Sequence, residues 1–169
     1  MWVYASGAYS GRHIRIFEYQ PDRSGKHPES FLKGFTGCLV TDAYAGYNQV
    51  QNVTHCGCWA HARRKRREAM PEGTTVKTSK AAVGFRYCTK LFSLKKKYCD
   101  ADEKSRKDYR QNVVWPLLEE CFAWLKGFHP EKGSKLEDAV RYSVRLTIKS
   151  QAPFQKCRKF VISYKLHDK

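Results

Sequence analysis

The chain has 169 residues, 41% hydrophobic and 14% aromatic, which suits one domain with a buried core and excludes a disordered chain. Its 32 Lys+Arg against 16 Asp+Glu give a formal charge of +16, an excess that points to a polyanion partner; nucleic acid is the commonest, with an anionic membrane or no specific partner as the competing readings. No apolar run approaches the ~20 residues of a spanning helix, and no basic start followed by an apolar core marks a signal peptide. The sequence therefore reads as cytoplasmic with no membrane role. The cysteines at 38, 56, 58, 88, 99, 121 and 157 do not form the even framework of a secreted mini-protein and read as reduced thiols.

In chain order, Trp2–Ala5 is a β-prone run, residues 7–11 (GAYSG) a turn, and His13–Tyr19 a second strand, together predicting a β-hairpin. On that second strand Ile14, Ile16 and Glu18 alternate with Arg15, Phe17 and Tyr19. The stretch from Gln20 to Gly25 breaks the strand, and Asp22 within it is a turn residue, favoured there for local hydrogen bonding. A short helix is predicted over 28–33, with Phe31, Leu32 and Phe35 as contacts and Gly34 near its end.

Gly37 opens Cys38-Leu39-Val40-Thr41, the apolar pattern of an interior strand, and Asp42 follows at once. A carboxylate at the carboxyl end of such a strand points into the crevice where open α/β sheets bind their ligands. The plain alternative is a helix-capping or turn aspartate, because Asp caps well. Residues 53–59 form a further strand that places Cys56 and Cys58 on one face. With His61 they make C-x-C-x-x-H, three soft ligands that suggest zinc. No second ligand pair of knuckle type accompanies them, so small buried strand cysteines are the preferred reading.

Residues 60–69, AHARRKRREA, predict a helix carrying Arg63, Arg64, Lys65, Arg66 and Arg67 in succession. Five consecutive positions cover most of a helix circumference, so at least one of them must turn inward, toward the sheet or the crevice. The run reads as a solvated face or a nucleic-acid patch, and its arginines suit charge-assisted contacts to a phosphodiester backbone. Beyond a loop at 70–75 the pattern becomes helical. Ala82, Phe85, Cys88, Leu91, Phe92 and Leu94 predict one helix. Tyr109, Val113, Leu117, Leu118, Cys121, Phe122 and Leu125 predict the inner side of a second, over 103–128, started or kinked at Pro116. Ser134 and Glu137 form a capping box for a third, over 135–148.

Three blocks, DRSGKHPESFLKGF, TDAYAGYN and THCGCWAHARRK, together resemble the catalytic region of the insertion sequence 66 family of bacterial transposases. The resemblance spans from Trp2 to about Ser143. It implies an α/β (α+β mixed) fold: an RNase H-like mixed sheet flanked by helices, with a helical insertion in the C-terminal half. In that family Asp, Asp and Glu bind two divalent metals, Mg²⁺ or Mn²⁺, for DNA strand cleavage and transfer, and Asp42 matches the second carboxylate. The first strand, with the first Asp, falls before Trp2. The segment 162–168 is a faint echo of the block holding the last Glu, with Asp168 near its position, and no Glu follows Glu137. Where the family has a packing aromatic residue, this chain has Arg66.

The resemblance thus implies a partial RNase H-like core over 1–70, a helical insertion over 71–148 and a divergent tail over 149–169. It implies a transposase fragment, inactive alone, with DNA as partner and a homo-oligomer in the transposition complex. The expected site residues are Asp42 for catalysis and metal, with Asp168 as a remote second candidate. Arg63, Arg64, Lys65 and Arg67 are expected to contact DNA, and Cys56, Cys58 and His61 are the zinc candidates. The competing reading is a basic nucleic-acid-binding module without catalysis.

Overall fold

Three consecutive apolar residues and a threonine give β3, Gly37–Thr41, two buried faces, and the rest of its unit is arranged around it. The computed structural model describes residues 1–7, 12–72, 78–156 and 161–162, and from residue 147 on the backbone alone. The fold is mixed α and β, as the sequence implies. It divides into two compact units, Met1–Cys58 with Lys149–Lys169, and Trp59–Ile148.

In the first unit β1, Trp2–Ala5, pairs antiparallel with β2, Arg15–Glu18, Trp2 opposite Glu18 and Ala5 opposite Arg15. The turn expected over 7–11 lies, from residue 8, outside the described residues. β3 pairs in parallel with β4, Val53–Gly57, from Gly37 opposite Val53 to Thr41 opposite Gly57. A two-residue strand β5, Val161–Ile162, lies parallel on its other edge.

The four predicted strands do not make the single sheet that the sequence suggests. β1 and β2 stand as a two-stranded sheet, and β3 is the centre of a separate sheet ordered β4-β3-β5. The reason is edge occupancy: Leu39 and Val40 pair with Val161 and Ile162, and the edge of β3 that β1 would need is taken. The central position predicted for β3 holds. Reduced thiols are found at Cys56, Cys58, Cys88, Cys99 and Cys121, whereas Cys38 is disulfide-bonded.

Helix α1 runs Lys26–Phe31, two residues earlier than predicted, since Pro28 is tolerated in a first turn whose N–H groups have no helical partner. Gly34, at φ +81°, supplies the left-handed conformation after the helix end. Tyr4 stacks on Phe31 with ring centroids 3.8 Å apart, and its hydroxyl donates to Glu18 Oε2 at 2.9 Å. Burial, then this bond to a carboxylate, holds the Tyr4 phenol far above its ordinary value.

The second unit is helical: α2, Trp59–Glu68; α3, Lys80–Lys97; α4, Glu103–Tyr109; α5, Trp115–Lys126; and α6, Lys135–Lys156, which runs past Ile148. Ser79 caps α3 by accepting the Ala82 N–H, and Ser134 accepts the Glu137 N–H at 3.1 Å, as the capping box predicts. Leu117, Leu118, Cys121, Phe122 and Leu125 are buried, the predicted inner side of α5.

Between α4 and α5, Arg110–Val114 forms a π-helical turn, and Pro116 sits in the first turn of α5. The wider turn shifts the register: Val114 is buried while Val113, predicted to face inward, is 39% exposed.

In the first unit the backbone comes close at two glycines. A Cβ on Gly25 would lie 2.5 Å from the Gly46 carbonyl oxygen, and one on Gly46 would lie 3.1 Å from the Gly25 Cα. Gly25→Ala is expected to lower stability by about 1–3 kcal/mol through overpacking against backbone that cannot swing away. Gly127, where an added Cβ meets nothing closer than 3.4 Å, serves as the control, and Gly127→Ala should stay within about 0.5 kcal/mol. Equal losses in urea melts of the two variants would refute the close approach.

Candidate functional site

Asp42 stands directly after β3, half-buried, at the carboxyl end of the central strand. Its Oδ1 accepts the Tyr44 N–H at 3.0 Å, while Thr41 Oγ1 accepts the Ala43 N–H at 3.3 Å. Two side chains thereby cap two successive amides around Ala43, whose φ of +66° is a left-handed conformation uncommon for a residue with a Cβ. Such strain is held only where surrounding contacts enforce it.

Those contacts come from the turn before α1. The Tyr44 hydroxyl donates to the Arg23 carbonyl at 2.6 Å, and the Arg23 guanidinium lies over the Tyr44 ring at 4.7 Å. Tyr47 and Trp2 complete an aromatic cluster: Trp2 meets Tyr47 edge-on at 5.5 Å and Tyr44 at 6.2 Å. Asp22 Oδ1 accepts the Ser24 N–H at 2.8 Å and lies 2.6 Å from His27 Nε2. The Ser24 N–H first, then His27, lower the Asp22 carboxyl below its ordinary value. Asp22 is thus the turn residue that the sequence predicts. The blocks DRSGK and DAYAGY, far apart in sequence, converge here.

On α2 the five cations have different surroundings. Arg66 is the one turned inward, 2% exposed, and it faces α3, neither sheet nor crevice. Its Nη1 donates to Cys88 Sγ at 3.4 Å, its Nη2 has no hydrogen-bond partner among the described residues, and its Nε occupies the space that a Cβ on Gly84 would need. Arg63 lies along α3, its guanidinium 4.6 Å from the Phe85 centroid and 5.9 Å from that of Phe92, with Nε donating to Thr89 Oγ1 at 3.3 Å. Lys65 Nζ is 5.9 Å from the Tyr142 ring centroid, Arg64 Nε is 3.6 Å from Glu68 Oε1, and Arg67 is exposed.

Residues 1–151 match the Transposase IS66 family. The chain belongs to this family.

Similarity also extends to two uncharacterized proteins of Sinorhizobium fredii. One, y4qI, is 25% identical over 160 residues, 85% of this chain and 29% of its own length. The other, y4hP, is 27% identical over 127 residues, 65% of this chain and 23% of its own length. The chain thus spans less than a third of either relative. No solved structure matches.

Within this family member, Cys56 lies buried on β4, its Sγ donating to the Thr54 carbonyl at 3.4 Å, and Cys58 is buried just beyond. His61 lies on α2. Among the described residues no group of three His, Cys, Asp or Glu side chains is gathered as a metal site. Asp168 lies outside the described residues. No helix among the described residues is long and apolar enough to cross a membrane.

Two features escaped the sequence reading. The anchoring of Tyr44 by Arg23 depends on a backbone carbonyl 21 residues away and left no local pattern. The other did leave one: α3 carries six basic residues and no acidic one, a bias masked by its apolar periodicity.

A buried guanidinium with an unpaired Nη2 costs stability that a carboxylate partner would have recovered. Arg66→Met, which keeps the stem and removes the charge, is expected to leave the melting midpoint unchanged or raise stability by about 1 kcal/mol. Arg63→Ala, which strips a cation from two aromatic rings, should lower it. A marked loss in Arg66→Met would mean that the buried charge stabilises the unit.

Proposed function

We propose that the chain is part of a DNA transposase of the two-metal DDE type. In this reading the strand-rich unit belongs to an RNase H-like core, the helices form an insertion, and the partner is DNA bound within a homo-oligomeric transposition complex. The observation that carries the proposal is Asp42 at the carboxyl end of the buried central strand in a member of the Transposase IS66 family. Parallel sheets collect ligands at that end.

Asp42 Oδ1 is engaged by the Tyr44 N–H, and among the described residues Oδ2 takes no hydrogen bond. An anionic oxygen so held suits a hard cation, and Mg²⁺ and Mn²⁺ prefer oxygen ligands. When bound, a pair of such ions would activate the attacking oxygen and stabilise the leaving one. The chain's own contribution is to fix one carboxylate rigidly. Arg64, Lys65 and Arg67, with Arg63 held along α3, would neutralise backbone phosphates.

One observation favours the alternative, a basic nucleic-acid-binding module without catalysis: the bond from Tyr44 N–H is what a plain turn aspartate makes. A single assay separates the two. Labelled DNA carrying the element's ends is incubated with Mg²⁺ or Mn²⁺ and either the 169-residue chain or Asp42→Asn, and Mn²⁺ binding is followed by electron paramagnetic resonance.

Removing one part of a catalytic unit costs about as much as removing the whole. With Asp42 the one carboxylate of the proposed site among the described residues, the 169-residue chain is expected to bind Mn²⁺ weakly through Asp42 and to cut nothing. Weak binding abolished by Asp42→Asn supports the transposase reading, and Mn²⁺ binding unaffected by the substitution favours the module. Metal-dependent cleavage that disappears in Asp42→Asn would instead mean that the chain holds a complete site.

A further inference from the structure

Strands β1 and β2 are paired with each other, yet their side chains are spent differently. Trp2, Val3 and Tyr4 of β1 are buried, whereas Ile14, Ile16, Phe17 and Tyr19 are exposed, Phe17 by 54% and Tyr19 by 82%. A single exposed apolar residue needs no explanation, but four large ones within six consecutive positions do.

The backbone edge beside them is also unpaired. The Ser6 N–H donates to the Ile14 carbonyl at 2.9 Å and the Ile14 N–H donates to Ser6 Oγ at 2.9 Å, so Ile14 turns both of its groups toward β1. Alternation along an antiparallel strand turns those of Ile16 and Glu18 the same way and those of Arg15 and Phe17 outward. Among the described residues β2 ends its sheet, and no strand lies along its outer edge. Proteins blunt such edges with prolines, bulges or charges. On β2 that leaves Arg15 alone, since Glu18 is bonded to Tyr4 and Gln20 and Pro21 comes only after the strand.

We infer that the outer edge of β2 is a homodimer interface, where β2 pairs antiparallel with β2 of a second copy about a two-fold axis at Phe17. The edge is complementary to itself in that register. Phe17 faces its own counterpart, and on either side of the axis Arg15 of one copy faces Tyr19 of the other, a cation against an aromatic ring. The two arginines lie at opposite ends, so like charges do not meet. An axis at Ile16 would instead bring them to diagonal positions, where they repel. The inference rests on the homo-oligomer of the proposed function and names its surface. Each copy carries +16, which opposes association until salt screens it, so the dimer tightens as KCl rises, opposite to a DNA complex.

The test is sedimentation velocity of the full chain at low and high KCl. Wild type is expected at twice the chain mass, with the dimer strengthened by salt. Phe17→Lys sets like charges against each other on the axis and should weaken dimerisation about tenfold or more, while Phe17→Leu keeps it. Far-ultraviolet circular dichroism should be unchanged in both, because the position is exposed. Phe17→Cys supplies a second measurement that needs no added charge. Facing residues of an outward hydrogen-bonded pair lie about 5.5 Å apart at Cα, within reach of a disulfide. Mild oxidation should therefore yield a covalent dimer above the wild-type background for Phe17→Cys and none above it for Tyr19→Cys. A dimer that Phe17→Lys leaves intact and Phe17→Cys does not capture would overturn the β2 edge while leaving the homo-oligomer. A chain that stays monomeric at every salt concentration would overturn both.

Discussion

The double-sided burial of β3 is the constraint on which the strand-rich unit depends. Gly37–Thr41 is paired with β4 along its whole length and with β5 at Leu39 and Val40, and has Cys38, Leu39, Val40 and Thr41 all buried. The side chains of such a strand are spent on packing, and the residue just beyond its carboxyl end is the first that can turn toward a ligand. That residue is Asp42. The turn that follows is correspondingly tight: Thr41 and Asp42 each cap an amide, Ala43 takes a left-handed conformation, and Tyr44 carries the chain away.

This turn is held from outside itself. Arg23 grips Tyr44 by a carbonyl and by its guanidinium, and Gly25 and Gly46 bring the two loops so close that neither position admits a side chain. Under the proposed function such anchoring would serve Asp42, because positioning errors of an ångström weaken both metal binding and catalysis. The two glycines and the tyrosine thus act on Asp42 at a distance, through backbone packing and one hydrogen bond.

In the helical unit the constraint is electrostatic. Five successive cations on α2 cannot all reach water, and Arg66 is the one that goes inside. It is accommodated because Gly84 leaves room for its Nε and Cys88 offers a polarisable acceptor. The remaining cations are divided: Arg63 and Lys65 lie near aromatic rings, and Arg64 and Arg67 face solvent. The same crowding that hides Arg66 lays Arg63 along α3, so the basic surface is shared by two helices.

Much of this was legible in the sequence. The central strand, the aspartate after it, the capping box of α6 and the inner side of α5 follow from periodicity and capping chemistry, which act over a few residues. That one cation of Arg63–Arg67 must turn inward also follows from helical geometry alone. The tertiary structure decided which one, because the choice depends on a glycine and a cysteine of another helix. It decided that β5 and not β1 lies against β3, a matter of which edge is filled and not of any strand's own pattern. It set Val114 inside in place of Val113, since a π-helical turn changes the phase of the helix without changing its composition. It also joined Arg23 to Tyr44, a contact between a side chain and a distant carbonyl that no local spacing encodes.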